Sequence, residues 1–314
     1  MKNEINDSIF RELLKRGYKV EGKTRVWNIA DSKLWYLTPE QAQGFLDLEK
    51  TKGYRESIID REVSLIKQNL SDIISKLQFK SCNIIDLGCG DGKKASLFID
   101  EMTNHIEFRY CPIDISSYMV SKAAETIRKL NVGEVVEMVW NISDFENLDN
   151  VSHLFRKGKF NNHFMTLLGN TLGNFDRDDI LSGIRNSMEG DDMLLIGMGL
   201  SNGKNANWVK EYKDEKINKW LIKILLLIGF NKSQIDYDVR FVNSRIEEMY
   251  ILKKDKTITH LGRKIEFKKG DVIIVAISYK YTLEVFKKLI KRFFKTSYIY
   301  TDKEKTYVLA LVKK

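Results

Sequence analysis

The stretch NIIDLGCGDGKKASLF, Asn83 to Phe98, decides how this sequence folds. An apolar run ends at three glycines within five residues, Gly88 to Gly92, and a polar segment of helical character follows. Glycine at such a corner lets the backbone approach a ligand, because no Cβ stands in the way. The spacing differs from the GxGxxG of dinucleotide enzymes, and no Gly-Lys-Ser/Thr follows, which argues against a P-loop. The stretch therefore predicts a strand, a ligand-binding turn and a helix.

Strand-like and helical segments alternate around this corner. From 82 to 200, apolar runs alternate with polar helical segments, which predicts a parallel sheet with helices on both faces. Residues 1–80 are predicted to be mostly helical. After 200, a long helix near 205–228 precedes short β-type runs, which indicate an antiparallel sheet. A helix at 281–295 and a hairpin turning at 302–304 should add two strands to the main sheet.

This pattern predicts four segments of the chain. The ligand of the core is expected at the carboxyl ends of the parallel strands. We expect the inserted lobe to cover that edge, with the substrate between the lobes, because ligand sites favour such junctions. The segments are a helical N-terminal region that is part of the substrate lobe (1–80), a Rossmann-like core (81–200), an inserted α+β substrate lobe (201–280), and a C-terminal helix and hairpin that complete the core sheet (281–314).

Composition and charge narrow the class of protein. The net charge of +9 comes from scattered lysines, and the densest run, KKLIKRFFK (Lys287 to Lys295), has the pattern of an amphipathic helix with a solvated face. Three cysteines without CxxC spacing indicate reduced thiols. The N-terminus lacks a signal-peptide core, and WLIKILLLIGF (Trp220 to Phe230) is too short to span a bilayer. We therefore expect a cytoplasmic protein without membrane, nucleic-acid or metal partners.

Two acidic positions follow the glycine corner along the chain. Asp114 ends the next predicted strand, in CPIDIS, where a carboxylate can accept two hydrogen bonds from ribose hydroxyls. Asp144 and Phe145, in NISDF, end the third strand, where an acid and an aromatic ring can bind adenine. Each element alone is weak evidence for a cofactor site, since Asp114 could also be a helix N-cap. Their order on successive strands favours a nucleoside cofactor.

These three elements together resemble the class I S-adenosylmethionine (SAM) methyltransferases. The segments LGCGDGKKASLF, CPIDIS, NISDF, LLGNTLGNF, RIEEMYI and EFKKGDVIIVAISYKYTLEVF also occur in the order typical of the histidine-specific methyltransferase family. Its best-known member trimethylates the α-amine of histidine in ergothioneine biosynthesis. The resemblance runs from about residue 54 to the C-terminus. It implies an α/β class I fold, a Rossmann-like doubly wound sheet with an inserted substrate lobe and a helical N-terminal region.

The resemblance also implies the residues of the site, with SAM as the cofactor. Tyr54, Asn174 and Tyr212 fall on the residues that hold the substrate's amine and carboxylate, and they are the expected catalytic residues. Methyl transfer is an in-line attack by a neutral amine, so the main work is positioning and desolvation, and water or Tyr54 could take the proton. Without the resemblance, Asn174 could cap the following helix and Tyr212 could pack in a core. The expected cofactor contacts are Gly88, Gly90, Lys94, Asp114, Asp144 and Phe145.

The chain departs from the family at one position of the substrate pocket. Histidine-methylating members carry a glutamate two residues before the position of Ser278, and Ala276 takes its place in this chain. Met249, which lies beside the same pocket in the family, is present. An alanine cannot bind an imidazole nitrogen, and a lost charge-assisted hydrogen bond costs about 1.5–3 kcal/mol. The sequence therefore predicts a substrate other than histidine, and Ala276→Glu should raise affinity for histidine.

Two other classes of function stay open. An RNA or protein methyltransferase could use the +9 charge, but it would need a basic, aromatic-lined path, which the sequence does not show in one place. A non-catalytic family member could bind SAM or an amino acid as a sensor. The leading hypothesis is an N-methyltransferase that acts on the α-amine of an amino acid or a related small amine.

Overall fold

The computed structural model describes residues 5–55, 59–103, 105–139, 148–201 and 208–314. The chain divides into two compact units. The small unit is Met1–Leu48 with Asn205–Lys280, and the core unit is Glu49–Lys204 with Tyr281–Lys314. The division after Leu48 differs from the predicted segment 1–80, because helix-forming residues 49–80 belong to the core unit. The predicted substrate position between two lobes stays a prediction.

Helices and strands both occur in each unit. In chain order, the helices are α1 (Asp7–Arg16), α2 (Pro39–Glu49), α3 (Lys52–Tyr54), α4 (Asp60–Lys76), α5 (Lys93–Met102), α6 (Ser117–Arg128), α7 (Leu148–Phe155), α8 (Arg177–Ser187), α9 (Trp208–Tyr212), α10 (Glu215–Leu226) and α11 (Leu283–Phe293). The strands are β1 (Tyr18–Glu21), β2 (Thr24–Asn28), β3 (Ser81–Leu87), β4 (Glu107–Asp114), β5 (Glu134–Val135), β6 (Met138–Val139), β7 (Asn162–Leu167), β8 (Met193–Gly199), β9 (Ile235–Val242), β10 (Arg245–Leu252), β11 (Lys256–His260), β12 (Arg263–Phe267), β13 (Val272–Tyr279), β14 (Thr296–Thr301) and β15 (Tyr307–Lys313).

The core unit is built on one sheet with the order β14-β15-β8-β7-β3-β4-β5, and β6 also pairs with β4. Pairing is parallel from β8 to β5, and β15 joins β8 antiparallel. Strand β8 is apolar and buried throughout, and β7 is buried after its first residue, as expected of strands covered on both faces. The α/β fold and the C-terminal hairpin on the main sheet are thereby confirmed. Strand order reverses at β3, where ligands of such sheets bind.

The small unit holds a five-stranded sheet with the order β1-β2-β13-β10-β9, and β11 and β12 form a separate hairpin. The predicted antiparallel region is confirmed in β9, β10 and β13. The predicted long helix near 205–228 is wrong in its described part, which is two helices, α9 and α10. Asp214 separates them, because its carboxylate caps α10 by accepting a hydrogen bond from the backbone N–H of Lys216 at 2.6 Å.

The helical prediction for residues 1–80 fails at one hairpin. Strands β1 and β2 pair antiparallel, with Glu21 opposite Thr24, and leave a two-residue loop. Gly22 opens this loop at φ 62°, a conformation that such short hairpin loops require. All four residues of β1 are exposed, so the strand carries no apolar alternation by which it could be recognised.

A β-bulge in β13 sets the direction of the side chains around it. Glu248 of β10 pairs with Ala276, whereas the next residue, Met249, pairs with Ile274, so Val275 has no partner on β10. The carbonyl of Val275 instead accepts a hydrogen bond from Trp35 Nε1 at 2.9 Å. Because directly paired residues point to the same face of a sheet, Ala276 lies on the face of Glu248 and Ile274 on the face of Met249.

Two expectations from composition concern cysteines and membranes. Cys82, Cys89 and Cys111 are buried free thiols, as predicted. In the described ranges, no helix combines the length and the hydropathy that crossing a bilayer requires. The cytoplasmic location stays a prediction.

Candidate active site

The glycine corner follows β3 and leads into α5. Gly88, Gly90 and Gly92 all have positive φ, at 73°, 54° and 75°. The backbone N–H groups of Gly88 and Cys89 donate to the carbonyl of Ile113 at 2.9 and 3.2 Å, which fixes the corner to the end of β4. A Cβ at Gly92 would lie 2.9 Å from the Cα of Ala123, whereas one at Gly90 would meet nothing within 4 Å. Gly92 therefore serves packing, and Gly90 has open space beside it.

Asp114 ends β4 beside this corner. Its Oδ1 accepts a hydrogen bond from the backbone N–H of Ser116 at 3.0 Å, and its Oδ2 lies 3.5 Å from the N–H of Gly90. Ser116 is the N-cap of α6, so the alternative that Asp114 is the cap is wrong. Burial raises the pKa of Asp114 to about 6, against the lowering by the backbone N–H groups of Ser116 and Gly90. A buried carboxylate with one loosely bound oxygen fits a ligand that brings hydroxyl donors, as a ribose does.

Lys94, on α5, is held by a fully buried carboxylate. Its Nζ lies 3.1 Å from Glu62 Oε2. Glu62 also accepts from the Tyr307 hydroxyl at 2.7 Å and from the backbone N–H of Gly169 at 2.9 Å. Burial opposes the charge of Lys94, yet the carboxylates of Glu62 and Glu49 raise its pKa. We call Glu62 with Lys94, Tyr307 and Gly169 the Glu62 cluster.

Asp86 ties the strand before the corner to its neighbours. It accepts from Thr166 Oγ1, on β7, at 2.6 Å and from the Tyr110 hydroxyl, on β4, at 2.8 Å. Burial raises the pKa of Asp86, against the lowering by these two hydrogen bonds. The end of β3 is therefore fixed on both sides, which positions the corner that follows it.

Asn174 closes a 3₁₀ turn, Thr171–Asn174, directly after β7. It does not cap the next helix, because Asp176 caps α8 by accepting from the backbone N–H groups of Asp178 and Asp179. Its side chain is half-buried and hydrogen-bonds to no residue in the described part of the chain. The amide is therefore available to a ligand.

Three predicted site residues cannot be compared with the structure. Asp144 and Phe145 lie outside the described residues. Tyr54 is the last residue of α3, but its side chain is outside what the structure describes. Their roles stay predictions.

Two predicted substrate residues of the small unit meet in the structure. The Tyr212 hydroxyl, on α9, donates to Ser278 Oγ, on β13, at 3.3 Å. The ammonium of Lys280 donates to the same oxygen at 2.9 Å and lies 5.2 Å from the ring centres of both Tyr212 and Trp208. Ser278 and Lys280 are buried, and Tyr212 is half-buried, so the alternative of a core tyrosine does not hold. We call these four residues the Lys280 cluster.

Met249 does not join Ala276 and Ser278, contrary to the grouping made from the sequence. It packs with Val26, Val272 and Ile274 in an apolar cluster, on the opposite face of the sheet. Met249 was assigned to the pocket by family resemblance, but Ala276 pairs with Glu248 and Ser278 with Ile246, so the neighbouring Met249 faces the other way.

Glu248 occupies the position opposite Ala276 instead. It is 5% exposed, and the Tyr237 hydroxyl donates to its Oε1 at 3.0 Å. Burial raises the pKa of Glu248 to about 7, against the lowering by Tyr237 and Lys280. Sequence reasoning missed Glu248, and the signal that could have found it is the acidic pair Glu247-Glu248 within a strand that is otherwise apolar.

The comparison with protein families decides the assignment. Residues 54–314 match the model of a family described as histidine-specific methyltransferase, SAM-dependent. The chain belongs to this family. It is therefore a SAM-dependent methyltransferase, and SAM is its cofactor, as the resemblance implied. No match was found among curated protein sequences.

Solved structures from two organisms are similar to this chain. A SAM-dependent methyltransferase from Clostridium acetobutylicum is 14% identical over 86% of this chain and 98% of its own, with a TM-score of 0.46. The PH0226 protein from Pyrococcus horikoshii is 13% identical over 88% of this chain and 99% of its own, with a TM-score of 0.47.

Proposed function

We propose that this enzyme transfers the methyl group of SAM to the α-amine of an amino acid or a related small amine. The observation that carries the proposal is the Lys280 cluster, where two hydroxyls from elements 66 residues apart meet beside a buried ammonium. A zwitterionic amino acid needs both hydrogen-bond donors for its carboxylate and acceptors for its amine. Hydroxyls supply either, and the ammonium favours an anion.

The core unit offers a fitting set of groups for SAM. In the proposal, the open side of Gly90 admits the cofactor's backbone-like methionine part, with Gly88 and Lys94 beside it. Lys94 carries a positive charge that a carboxylate would pair with, and Asp114 accepts the two ribose hydroxyls. Asp144 and Phe145 are assigned to adenine. When bound, SAM supplies a methyl group on a positively charged sulfur.

The residues assigned to the substrate have to position a neutral amine. Asn174, Tyr212 and Tyr54 can hold the nitrogen and the carboxylate by hydrogen bonds without consuming the lone pair that attacks the methyl group. The new N–C bond forms as the S–C bond breaks, and the amine proton passes to water or to Tyr54. None of these steps needs a strong base, so positioning supplies most of the rate enhancement.

The pairing of Ala276 with Glu248 bears on the identity of the substrate side chain. The prediction against histidine rested on Ala276, but Glu248 brings a carboxyl group to the same cross-strand pair. Ala276 alone therefore no longer argues against histidine. The expected gain from Ala276→Glu is also withdrawn, because two carboxylates directly opposite each other on neighbouring strands repel.

A transfer assay with labelled SAM tests the proposal. Purified enzyme is incubated with an amino-acid mixture, with RNA and with a protein extract, and the label is followed by mass spectrometry. We expect label in the amino-acid fraction. Label in RNA or protein would favour the first alternative, and SAM binding by calorimetry without transfer to any acceptor would favour a non-catalytic sensor.

A pair of tyrosine variants links that activity to the Lys280 cluster. Tyr212→Phe removes the hydroxyl that meets Ser278, so we expect the KM for the amino acid to rise about tenfold. Tyr250→Phe is the matched control, since its hydroxyl donates to Asn218 within the same unit. An unchanged KM in Tyr212→Phe would remove this residue from the proposed site.

A further inference from the structure

Glu248 is a buried carboxyl group that the reaction as proposed does not use. Within the described chain, its only hydrogen bond comes from the Tyr237 hydroxyl at 3.0 Å. That hydroxyl also lies 2.9 Å from the carbonyl oxygen of Tyr212. A tyrosine has one hydroxyl proton, so it cannot fully satisfy both acceptors at once. The carboxyl group is therefore under-satisfied in a place that water hardly reaches.

The adjacent glutamate shows what a structural role looks like on the same strand. Glu247 points to the opposite face and is buried to the same degree, and it forms ion pairs with Arg240, at 2.6 Å, and Arg245. Among the described residues, no ion pair joins Glu248 to a basic side chain. Lys280 shares its face and lowers its pKa, but the Lys280 ammonium is directed to Ser278 and the rings of the Lys280 cluster.

A second orphaned polar group lies in the same unit. Trp208 Nε1 is buried, and it hydrogen-bonds to no residue in the described part of the chain. Its ring lies 5.2 Å from the Lys280 ammonium, on the helix that also carries Tyr212. A buried donor or acceptor without a partner costs about 1–3 kcal/mol. An acceptor and a donor left open together indicate a polar ligand that brings the complementary groups.

The residue opposite Glu248 has a small side chain. Cross-strand partners have Cβ atoms about 4.5–5.5 Å apart, and Ala276 contributes only a methyl group there. Burial also keeps a hydrogen bond to this carboxyl group free of competition from water. The pair thus combines a strong acceptor with a small neighbour, which suits a side chain that ends in an N–H group.

We propose that Glu248 selects the substrate's side chain by accepting a hydrogen bond from it. The enzyme then prefers amino acids whose side chain carries an N–H donor, such as an imidazole, an indole or an ammonium group. This inference rests on the proposed function, since it concerns which amino acid is methylated. It assigns the selecting group to β10, across the strand pair from Ala276.

The test compares each N–H substrate with a shape-matched amino acid that lacks the donor. The pairs are histidine with thienylalanine, tryptophan with naphthylalanine, and lysine with norleucine, each assayed for kcat/KM. We expect wild-type enzyme to favour the N–H member of at least one pair by about tenfold to a hundredfold. Glu248→Gln, which keeps the shape and an acceptor for Tyr237, should reduce that ratio about tenfold, and Glu248→Leu should abolish it. Glu247→Gln is the matched control and should leave the ratio unchanged.

A rescue experiment separates selection from a structural role. The double variant Glu248→Ala with Ala276→Glu moves the carboxyl group to the other strand, and it should restore the preference that Glu248→Ala alone loses. Equal kcat/KM within every pair for wild type, or an unchanged ratio in folded Glu248→Leu or Glu248→Gln, would overturn the inference and leave the proposed function standing. Absence of turnover with every amino acid would overturn both.

Discussion

Two buried glutamates, one in each unit, differ in how well they are satisfied. Glu62 of the core unit receives the ammonium of Lys94, the hydroxyl of Tyr307 and the backbone N–H of Gly169. Glu248 of the small unit receives one hydroxyl, which is shared with a carbonyl. A buried carboxylate that receives a full set of hydrogen bonds stabilises the fold. One that receives too few can accept further hydrogen bonds from a ligand.

Asp114 falls between these two cases. It accepts one good backbone hydrogen bond and one long one, and burial raises its pKa to about 6. The comparison therefore orders three carboxyl groups by the donors they lack, and it predicts how each should respond to replacement.

The largest effect is expected for Glu62→Ala. Removal of the carboxylate takes the ion-pair partner from the buried Lys94 ammonium and one acceptor from the Tyr307 hydroxyl, so unfolding free energy should fall by about 3–5 kcal/mol. Denaturant titration measures this. Glu125→Ala, which removes exposed pairs with Lys122 and Lys129, is the control and should cost less than about 1 kcal/mol. A similar small loss for Glu62→Ala would contradict the structural role.

Asp114→Ala should weaken SAM binding by about 1.5–3 kcal/mol, because the ribose loses a charged acceptor. Calorimetry of SAM binding measures this, and Asp91→Ala, in the same corner but paired with Lys93 at the surface, is the control. Unchanged affinity in a folded Asp114→Ala protein would show that the ribose lies elsewhere.

The pH dependence of SAM binding gives a separate check on Asp114. Ribose hydroxyls bind the ionised carboxylate, so wild-type affinity should fall as the pH drops through about 6, by about tenfold per pH unit below that. The Asp114→Ala variant should lack this decline. A wild-type profile that stays flat between pH 7 and about pH 5 would assign the ribose contact to another group.

Removal of the tyrosine hydroxyl that donates to each glutamate sharpens the comparison. Tyr307→Phe takes a donor from a carboxylate that depends on it, and should cost about 1–3 kcal/mol of unfolding free energy. Tyr237→Phe should cost less, because Glu248 can take up a proton when its donor is lost. Thermal and denaturant unfolding of the two variants give the difference, and equal losses would show that both carboxylates are held alike.

The smallest effect is expected for Glu248→Gln, and it is a gain in stability. The pKa of Glu248 is about 7 in the folded protein and lies near 4.5 when unfolded, so ionisation lowers the folded protein's stability as the pH rises from about 4.5 to above 7. Glu248→Gln does not titrate and should be more stable than wild type at pH 8, by on the order of 1 kcal/mol, with little gain at pH 5. An equal gain in stability at both pH values would mean that burial does not raise the pKa of Glu248.

Most of the fold could be predicted from local features of the sequence. The corner at Gly88 to Gly92 and the apolar strands around it can be predicted because glycine spacing and hydrophobic periodicity are properties of one segment. The hairpin of β1 and β2 was missed because β1 is fully exposed, so its only signal was Gly22. The capping of α8 by Asp176 rather than Asn174 depends on side-chain directions that spacing alone does not decide.

The site was predictable only in part, for a physical reason. The meeting of Tyr212 and Ser278 followed from family resemblance, but Lys280 and Glu248 enter through pairing between β10 and β13. Which residues of two strands share a face depends on the register between the strands, and neither strand's own sequence marks that register. Met249 was placed in the pocket and Glu248 was not considered, because the pairing of Glu248 with Ala276 cannot be read from β10 alone.

Because of the bulge at Val275, even-numbered side chains of β13 point to one face of the sheet before the bulge and to the other face after it. Residues before it send their even-numbered side chains into the apolar cluster, and residues after it send theirs to the polar side, where Ser278 and Lys280 lie. Removing Val275 alone would eliminate the bulge and make Ile274 and Ala276 direct neighbours, and because these two residues already lie on opposite faces, both rows of side chains would keep their faces. A Val275 deletion should therefore retain amino-acid turnover and lose only the carbonyl that accepts from Trp35, whereas loss of turnover in a folded deletion variant would show that the bulge itself shapes the site.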